Sequence, residues 1–473
     1  MPSGTARRFL AVLTALLLAL CSACSMTPLN AHVSTTAATS VFSVASTTSF
    51  LDPEQPDETT VPAIDLNGYV WSIRVPWADR LLPNADDTES DRQLLAIYNA
   101  LCSDYNAVID ISYAPSLSEC IADAAAGVCS ADVLGIRSFE IPVLASSKAI
   151  YAADDPVLLN AGLNCNDKTR FLTDISSQAR YDGKQWAVQL ASEYDIPAFG
   201  QVLLCNQTLL DRLGTGNLYN LLETGKWTLS EYTRLAAAAS ALSSTTYGTA
   251  LTSPRSAYLS LGGSIVSRRD GAWSCELTES ASVKALSELR TLTFASSGMF
   301  SGTPAEAKQL FIDGKLLFLW TDTASILDTP ALTASGTAIL MPVPTGSAAR
   351  RTPVTGYCGY AFPANNITLR NSVILFNALA QRLNGDWVAA FVRQANLDTD
   401  AVRVIRNWIL PAVTVTADEF DVRFQAFFDR SVYEPMLEGD LSPDEVLDAA
   451  ASSFYALIRS FEVSPDGTQR NAR

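Results

Sequence analysis

The amino-acid sequence predicts an α/β fold whose first region contains a parallel sheet. Strand and helix patterns alternate over residues 69–136, and a similar mixture starts again near Gln201. Strand, helix and strand in succession are typical of a parallel sheet with helices on its faces. Residues 64–473 are also longer than one average domain, which favours two or three domains.

The first region is predicted to contain three strands joined by two helices. Period-two and helical hydrophobic patterns place the strands at 69–75, 108–113 and 131–136, and the helices at 88–104 and 116–126. Ser116 and Glu119 have the spacing of a capping box at the second helix start. Ligands on parallel sheets bind beyond the carboxyl ends of the strands, so the loops after Val75 and around Asp132 are expected near a site.

The second region again mixes strands with helices. The hydrophobic pattern predicts strands at 202–206, 316–320, 338–344 and 359–363. It predicts helices at 207–213, from 228 onward, at 281–293, at 304–311 and over most of 372–461. Thr228 is expected to cap its helix with Glu231, while Trp227 packs against Tyr232.

The first 23 residues have the layout of a secretory signal peptide. Two basic residues, Arg7 and Arg8, precede an apolar run at 9–20, and small residues follow it. The run is shorter than the ~20 residues that a membrane-spanning helix needs. We therefore expect residues 1–23 to be removed on export.

A lipid anchor is expected directly after this segment. Residues 20–24, Leu-Cys-Ser-Ala-Cys, resemble the lipobox of bacterial lipoproteins, which implies lipid attachment at Cys24. Residues 24–63 are rich in Ser, Thr, Ala and Pro and are predicted to be a disordered tether. The implied location is the extracellular face of the cell membrane, contacted through the lipid alone. Plain secretion is the alternative.

Composition excludes several functional classes. The net charge of −16 disfavours nucleic acid and anionic membrane surfaces as partners, because both would be repelled. The only histidine, His32, lies in the tether, so no His-based catalytic triad or zinc site can form in residues 64–473, the body of the chain. The seven body cysteines contain no Cys-x-x-Cys spacing, and most are expected to be buried thiols. We expect no metal and no cofactor.

Several short sequence motifs follow one another along the body in a fixed order. They are 181–188 (YDGKQWAV), 202–213 (VLLCNQTLLDRL), 222–232 (LETGKWTLSEY), 311–320 (FIDGKLLFLW), 341–346 (MPVPTG) with 359–363 (GYAFP), and a closing helix at 439–447. Together these stretches resemble the extracellular solute-binding proteins of family 1, the sugar-type receptors of bacterial ABC importers. The sequence departs from the family pattern at Gln189, where that pattern has Pro.

The resemblance implies a two-lobe, periplasmic-binding-protein-like α/β fold with a hinge and a ligand cleft between the lobes. Lobe 1 is expected to contain 64–190 and 345–385, and lobe 2 to contain 191–344 and 386–473. The implied function is capture of a small solute, a mono- or oligosaccharide, for delivery to the permease subunits of an ABC importer. A monomer without catalytic activity is expected.

A sugar has apolar faces and a rim of hydroxyl groups, so its receptor needs aromatic rings and polar side chains. The candidate ligand-binding residues are Trp77, Tyr194, Asp195, Trp320, Asp322, Tyr357 and Trp408. Core packing is the alternative for the tryptophans, and one of Tyr357 and Tyr360 is expected to pack into the sheet. Turn formation explains Asp195 equally well.

Two other functions remain open at this point. A secreted glycosidase needs only a pair of carboxylates at a suitable separation, which a sequence does not give. A non-catalytic surface adhesin would instead bind a polymer or a cell surface.

Overall fold

The computed structural model describes residues 40–42, 64–83, 88–294 and 298–462, whose strands form two large sheets and three short pairs. In chain order the strands are β1 (Ser40–Phe42), β2 (Tyr69–Val75), β3 (Ala107–Tyr113), β4 (Val133–Arg137), β5 (Ile150–Tyr151), β6 (Arg180–Tyr181), β7 (Lys184–Gln185), β8 (Gln201–Asn206), β9 (Tyr247–Leu251), β10 (Val266–Arg269), β11 (Ala272–Cys275), β12 (Leu316–Asp322), β13 (Ala338–Met341), β14 (Thr352–Pro353), β15 (Cys358–Pro363) and β16 (Val413–Thr414). The predicted signal peptide and Cys24 lie outside the described residues.

Helices connect the strands and form most of the C-terminal part. The α-helices are Ala78–Leu81, Glu89–Tyr105, Leu117–Ala126, Ile141–Ser146, Pro156–Ala161, Thr173–Ser176, Gln207–Arg212, Leu218–Glu223, Leu229–Ser240, Pro254–Ser260, Ser280–Phe294, Pro304–Ile312, Thr323–Asp328, Leu369–Leu383, Trp387–Gln394, Asp400–Val404, Val422–Phe428, Glu434–Glu438 and Pro443–Glu462. In the described part of the chain, none of them combines the length and the apolar character needed to span a bilayer.

The first sheet has the strand order β1-β3-β2-β4-β15-β5. Strands β2, β3 and β4 run parallel, as the alternating pattern predicts, and β15 returns antiparallel to β4. The capping box of Ser116 and Glu119 is confirmed at the start of the helix Leu117–Ala126. The strand β1 pairs with β3 inside the predicted tether, so residues 40–42 correct the expectation of disorder there. Val41 and Phe42 have high strand propensity, which suits this pairing.

The second sheet has the order β13-β8-β12-β9. Strand β8 is antiparallel to both β12 and β13, whereas β12 and β9 are parallel. Thr228 accepts a hydrogen bond from the backbone of Glu231, and the rings of Trp227 and Tyr232 pack at 6.1 Å, both as predicted. The side chain of Glu231 bonds Arg234 rather than closing the capping box.

The expectation that Asp132 lies near a site at the strand carboxyl ends is wrong. Strand β4 begins at Val133, so Asp132 lies at the amino end of the sheet. Its carboxylate accepts hydrogen bonds from the backbone and hydroxyl of Ser72, at 2.8 and 2.9 Å, and from the hydroxyl of Tyr69 at 2.5 Å. Asp132 therefore joins β4 to β2. No disulfide links the cysteines of the described residues.

Candidate functional site

A cleft of about 340 Å³ lies at the carboxyl ends of β2 and β4 in the first sheet. Its wall comes from the turn after β2, the segment 189–198, the helix Thr323–Asp328 after β12, and the start of β15. The first sheet and the helix that follows β12 of the second sheet therefore both contribute to it. The polar and aromatic side chains that line the cleft are Trp77, Arg80, Arg137, Gln189, Asp195, Cys358 and Tyr360.

The cleft floor contains an acid bonded to a phenol. The hydroxyl of Tyr360 donates a hydrogen bond of 2.5 Å to Oδ2 of Asp195. The indole of Trp77 meets the ring of Tyr360 edge-on, with centroids 5.6 Å apart and Nε1 3.5 Å from the hydroxyl. Burial raises the pKa of the Asp195 carboxyl, while the hydrogen bond from Tyr360 and the charge of Arg80 oppose this rise. Burial, and then the charge of Asp195, raise the pKa of Tyr360.

Two glycines hold these groups in place. A Cβ at Gly135 would lie 2.6 Å from Cγ1 of Val75 and 2.8 Å from the ring of Trp77, so the indole packs directly on the β4 backbone. A Cβ at Gly359 would lie 2.9 Å from the carbonyl oxygen of Val188. This close approach permits the backbone bridge between Val188 and Tyr360, which joins β15 to the residue directly before the segment 189–198.

Positive charge faces the same cleft. The guanidinium of Arg80 lies 3.3 Å from the carboxylate of Asp328, an ion pair between the helices that follow β2 and β12. Both side chains are exposed, so the pair contributes little stability by itself. Arg137 ends β4, and its guanidinium is 4.0 Å from Glu140. Burial raises the pKa of the Cys358 thiol to about 12, which keeps this side chain protonated and unreactive near neutral pH.

A buried charge cluster lies directly behind the cleft wall. Arg255 donates to Asp418 at 2.5 Å and to Glu419 at 3.0 Å, and all three side chains are almost completely buried. The other oxygen of Glu419 accepts hydrogen bonds from the backbone of Gly356 at 2.6 Å and from the hydroxyl of Ser138 at 3.3 Å. Gly356 lines the cleft, so the cluster fixes its wall to the C-terminal part of the chain.

Of the residues predicted from the sequence, Trp77 and Asp195 lie in the cleft. Tyr194 lies beside it, in a polar groove of about 430 Å³, where its hydroxyl donates to Gln93 at 3.4 Å. Asp322 caps the helix Thr323–Asp328, accepting hydrogen bonds from the backbone and hydroxyl of Ser325. Neither Tyr194 nor Asp322 lines the cleft.

The other three predicted residues occupy the core. Trp320 is fully buried in β12 and donates a hydrogen bond of 2.7 Å to Tyr232, so it presents no ring face to a ligand. Tyr357 is also buried, and its hydroxyl donates to the backbone of Ala187. Trp408 is half-buried in the helical turn Ile405–Ile409 and packs against the larger core. Strand β12 is buried on both faces, which explains why Trp320 lies in the core and not in the cleft, where the sequence placed it.

Sequence reasoning missed Arg80, Arg137 and Gln189 as cleft residues. Arg80 follows the first predicted strand, and Arg137 ends the third, so the rule that ligands bind at strand carboxyl ends points to both.

The chain is similar to known proteins in structure and not in sequence. No protein-family model matches the sequence, and no curated protein matches it. A cyclic α-maltosyl-1,6-maltose binding protein from Arthrobacter globiformis matches over 83% of this chain and 100% of its own, at 14% identity and a TM-score of 0.58. UgpB from Mycobacterium tuberculosis, in complex with glycerophosphocholine, matches over 83% and 99%, at 15% identity and a TM-score of 0.56.

A third structure carries the name of a transporter class. It is an ABC transporter solute-binding protein from Agrobacterium radiobacter K84 in complex with ribitol, which matches over 83% of this chain and 100% of its own, at 16% identity and a TM-score of 0.52. The chain has the fold of ABC-transporter solute-binding proteins. This two-lobe α/β fold is the one expected from the sequence.

Proposed function

We propose that the chain is a solute-binding protein that captures a small carbohydrate by lobe closure and delivers it to the permease subunits of an ABC importer. The observation that carries the proposal is the cleft between the two sheets, with the indole of Trp77 beside the bonded pair of Asp195 and Tyr360. An aromatic ring suits the apolar face of a sugar, and a carboxylate accepts hydrogen bonds from its hydroxyl groups.

The lobes take the boundaries inferred from the sequence. Lobe 1 contains 64–190 and 345–385, a division supported by β2, β3, β4, β5 and β15 of the first sheet. Lobe 2 contains 191–344 and 386–473, supported by β8, β9, β12 and β13 of the second sheet. The two segments that cross between the lobes, near 187–199 and 345–362, act as the hinge, and the cleft closes on its ligand by bending there.

Carbohydrate is the ligand class that the neighbours favour. The similar structures are described as binding cyclic maltosyl-maltose, ribitol and glycerophosphocholine, molecules that share hydroxyl groups. The two arginines of the cleft add donors for ligand oxygens. The chain acts as a monomer that needs no metal or cofactor.

The protein is anchored by lipid at Cys24 on the extracellular face of the membrane. Metabolic labelling with a fatty-acid probe tests this: we expect labelling of the wild type and of Cys21→Ala, but not of Cys24→Ala. Labelling that disappears only with Cys21→Ala contradicts the assignment.

Both alternative functions find less support. A glycosidase needs two carboxylates flanking the scissile bond, and Asp195 is the only carboxylate among the described residues that line the cleft. An adhesin for polymers has no need of a cleft of this size with an acid and an indole in it.

A melting screen tests the proposal. A ligand that binds only the folded chain adds about 2.7 kcal/mol of apparent stability at one hundred times its dissociation constant. We expect mono- or oligosaccharides or polyols to raise the melting temperature and to be recovered unchanged after long incubation. Stabilisation by amino acids or peptides alone contradicts the carbohydrate class, and hydrolysis of a stabilising sugar favours the glycosidase.

A further inference from the structure

Gln189 combines two features that are not expected together. Its side chain is 4% exposed and lines the cleft. Its amide nitrogen donates a hydrogen bond of 2.8 Å to the carbonyl of Cys358, yet its Oε1 is shielded from solvent and has no hydrogen-bond partner among the described residues. Buried polar atoms are normally paired, so each exception needs an explanation.

The local structure holds this oxygen in place. The backbone nitrogen of Gln189 donates to the hydroxyl of Ser176 at 3.1 Å, and its carbonyl accepts from the backbone of Leu172 at 2.9 Å. Exchanging the two ends of the side-chain amide would set its oxygen against the carbonyl oxygen of Cys358, which is unfavourable. The side-chain amide of Gln189 therefore keeps this orientation.

We infer that Gln189 determines the ligand specificity of the cleft by accepting, at Oε1, a hydrogen bond from a hydroxyl group of the bound solute. The inference rests on the proposed function, because it requires a solute in the cleft. Gln189 and Asp195 both lie on the crossing segment near 187–199, so the cleft has two acceptors. A ligand with two or more hydroxyl donors, a polyol or a sugar, matches them. Lobe opening gives the hydroxyl group access to Oε1, and closure shields the resulting bond from water.

The chain provides a matched control in Gln185. Its side chain is 1% exposed, its amide nitrogen donates to the carbonyl of Ala187 at 3.1 Å, and its Oε1 also has no hydrogen-bond partner among the described residues. Gln185 does not line the cleft. Replacing each glutamine with the apolar, similarly shaped methionine removes the same groups from two equally buried sites.

Calorimetric titration with ribitol, maltotetraose and glycerophosphocholine measures the effect. One of these probes is expected to bind the wild type. For that probe, Gln189→Met should raise the dissociation constant about tenfold, as the loss of a hydrogen bond to a buried partner predicts. Gln185→Met should leave the dissociation constant within about twofold. Both variants should change the ligand-free melting temperature by similar amounts.

Monodeoxy analogues of that probe separate a direct contact from a general disturbance. In the wild type, one analogue should bind about tenfold more weakly than the parent, and in Gln189→Met this difference should vanish, because the two changes remove the same bond. The role of Gln189 is overturned if Gln189→Met binds the probe as tightly as the wild type does. It is also overturned if every analogue shows the same loss of affinity, relative to the parent probe, in Gln189→Met as in the wild type. Neither result affects the proposed function. A wild type that binds none of the probes overturns the proposed function, and the inference falls with it.

Discussion

The hydroxyl of Tyr360 lies 2.5 Å from Oδ2 of Asp195, although 165 residues separate them in the chain. Asp195 belongs to the first segment that crosses between the sheets, and Tyr360 belongs to β15, the strand that returns to the first sheet. One hydrogen bond therefore joins the crossing segment to the sheet at the cleft floor. The pKa of the Asp195 carboxyl therefore also depends on the hydroxyl of Tyr360.

We predict that Asp195→Asn makes the ligand-free protein more stable than the wild type near pH 7. Burial raises the folded pKa of Asp195 above its ordinary value of 3.8, so the wild type loses stability as pH rises from that value through the folded pKa. Asparagine does not titrate and avoids this loss. Melting curves from about pH 3 to about pH 8 should show that the difference in melting temperature between Asp195→Asn and the wild type increases with rising pH.

Tyr360→Phe provides the companion measurement. It removes the hydrogen bond that lowers the pKa of Asp195, so the pH range over which stability is lost should extend to higher values. If the difference in melting temperature between Asp195→Asn and the wild type does not change with pH, both expectations are wrong.

Trp77→Ala should reduce the ligand-induced rise in melting temperature and cost less stability than Trp320→Ala. Trp77 is half-buried in the cleft, whereas Trp320 is fully buried and bonded to Tyr232. Truncating a buried tryptophan costs roughly 3–5 kcal/mol in unfolding free energy. Denaturant unfolding with and without ligand measures both effects, and the idea fails if Trp77→Ala leaves the ligand-induced shift intact.

Gly135→Ala should weaken ligand binding by displacing the indole of Trp77. The added methyl group would lie 2.8 Å from that ring, and overpacking costs about 1–3 kcal/mol. Gly216→Ala is the matched control, because nothing lies within 4 Å of its added methyl group. Titration of both variants with the same ligand decides the matter; equal affinities would show that the position of Trp77 does not depend on Gly135.

Arg255→Met should cost about 3–5 kcal/mol in unfolding free energy, because it leaves Asp418 and Glu419 buried without their cation. Arg406→Met removes an ion pair with Asp386 in which both side chains are about half exposed, and should cost about 1 kcal/mol or less. Denaturant unfolding of the two variants provides the comparison. Similar costs at the two sites would contradict the structural importance of the buried cluster.

Local patterns were sufficient to predict most elements of both sheets. The predicted strand at 69–75 coincides with β2, and the capping residues Ser116 and Thr228 begin helices as expected. Such features depend on neighbours within a few residues. The strand β1 was missed because its surroundings are polar. Asp132 was assigned to the carboxyl ends of the strands, although it lies near the start of the predicted strand 131–136 and directly before β4 in the structure.

The cleft was predicted less completely than the fold. Trp77 and Asp195 lie in it, and both follow from their positions in segments that leave a strand or cross between the lobes. Whether an aromatic residue faces a ligand or the core depends on packing between distant segments, which a sequence does not reveal. Trp320 and Tyr357 are core residues for this reason.

The position of β15 has a consequence for the order in which a growing chain can fold. All strands of the second sheet have been synthesised once Met341 is added, whereas the first sheet still lacks β15, which lies between β4 and β5. A nascent chain that has emerged from the ribosome only as far as that residue can thus complete the sheet that begins later in the sequence before the one that begins earlier. We expect limited proteolysis of stalled nascent chains that have emerged to this point to spare the second sheet and to cleave the strands of the first.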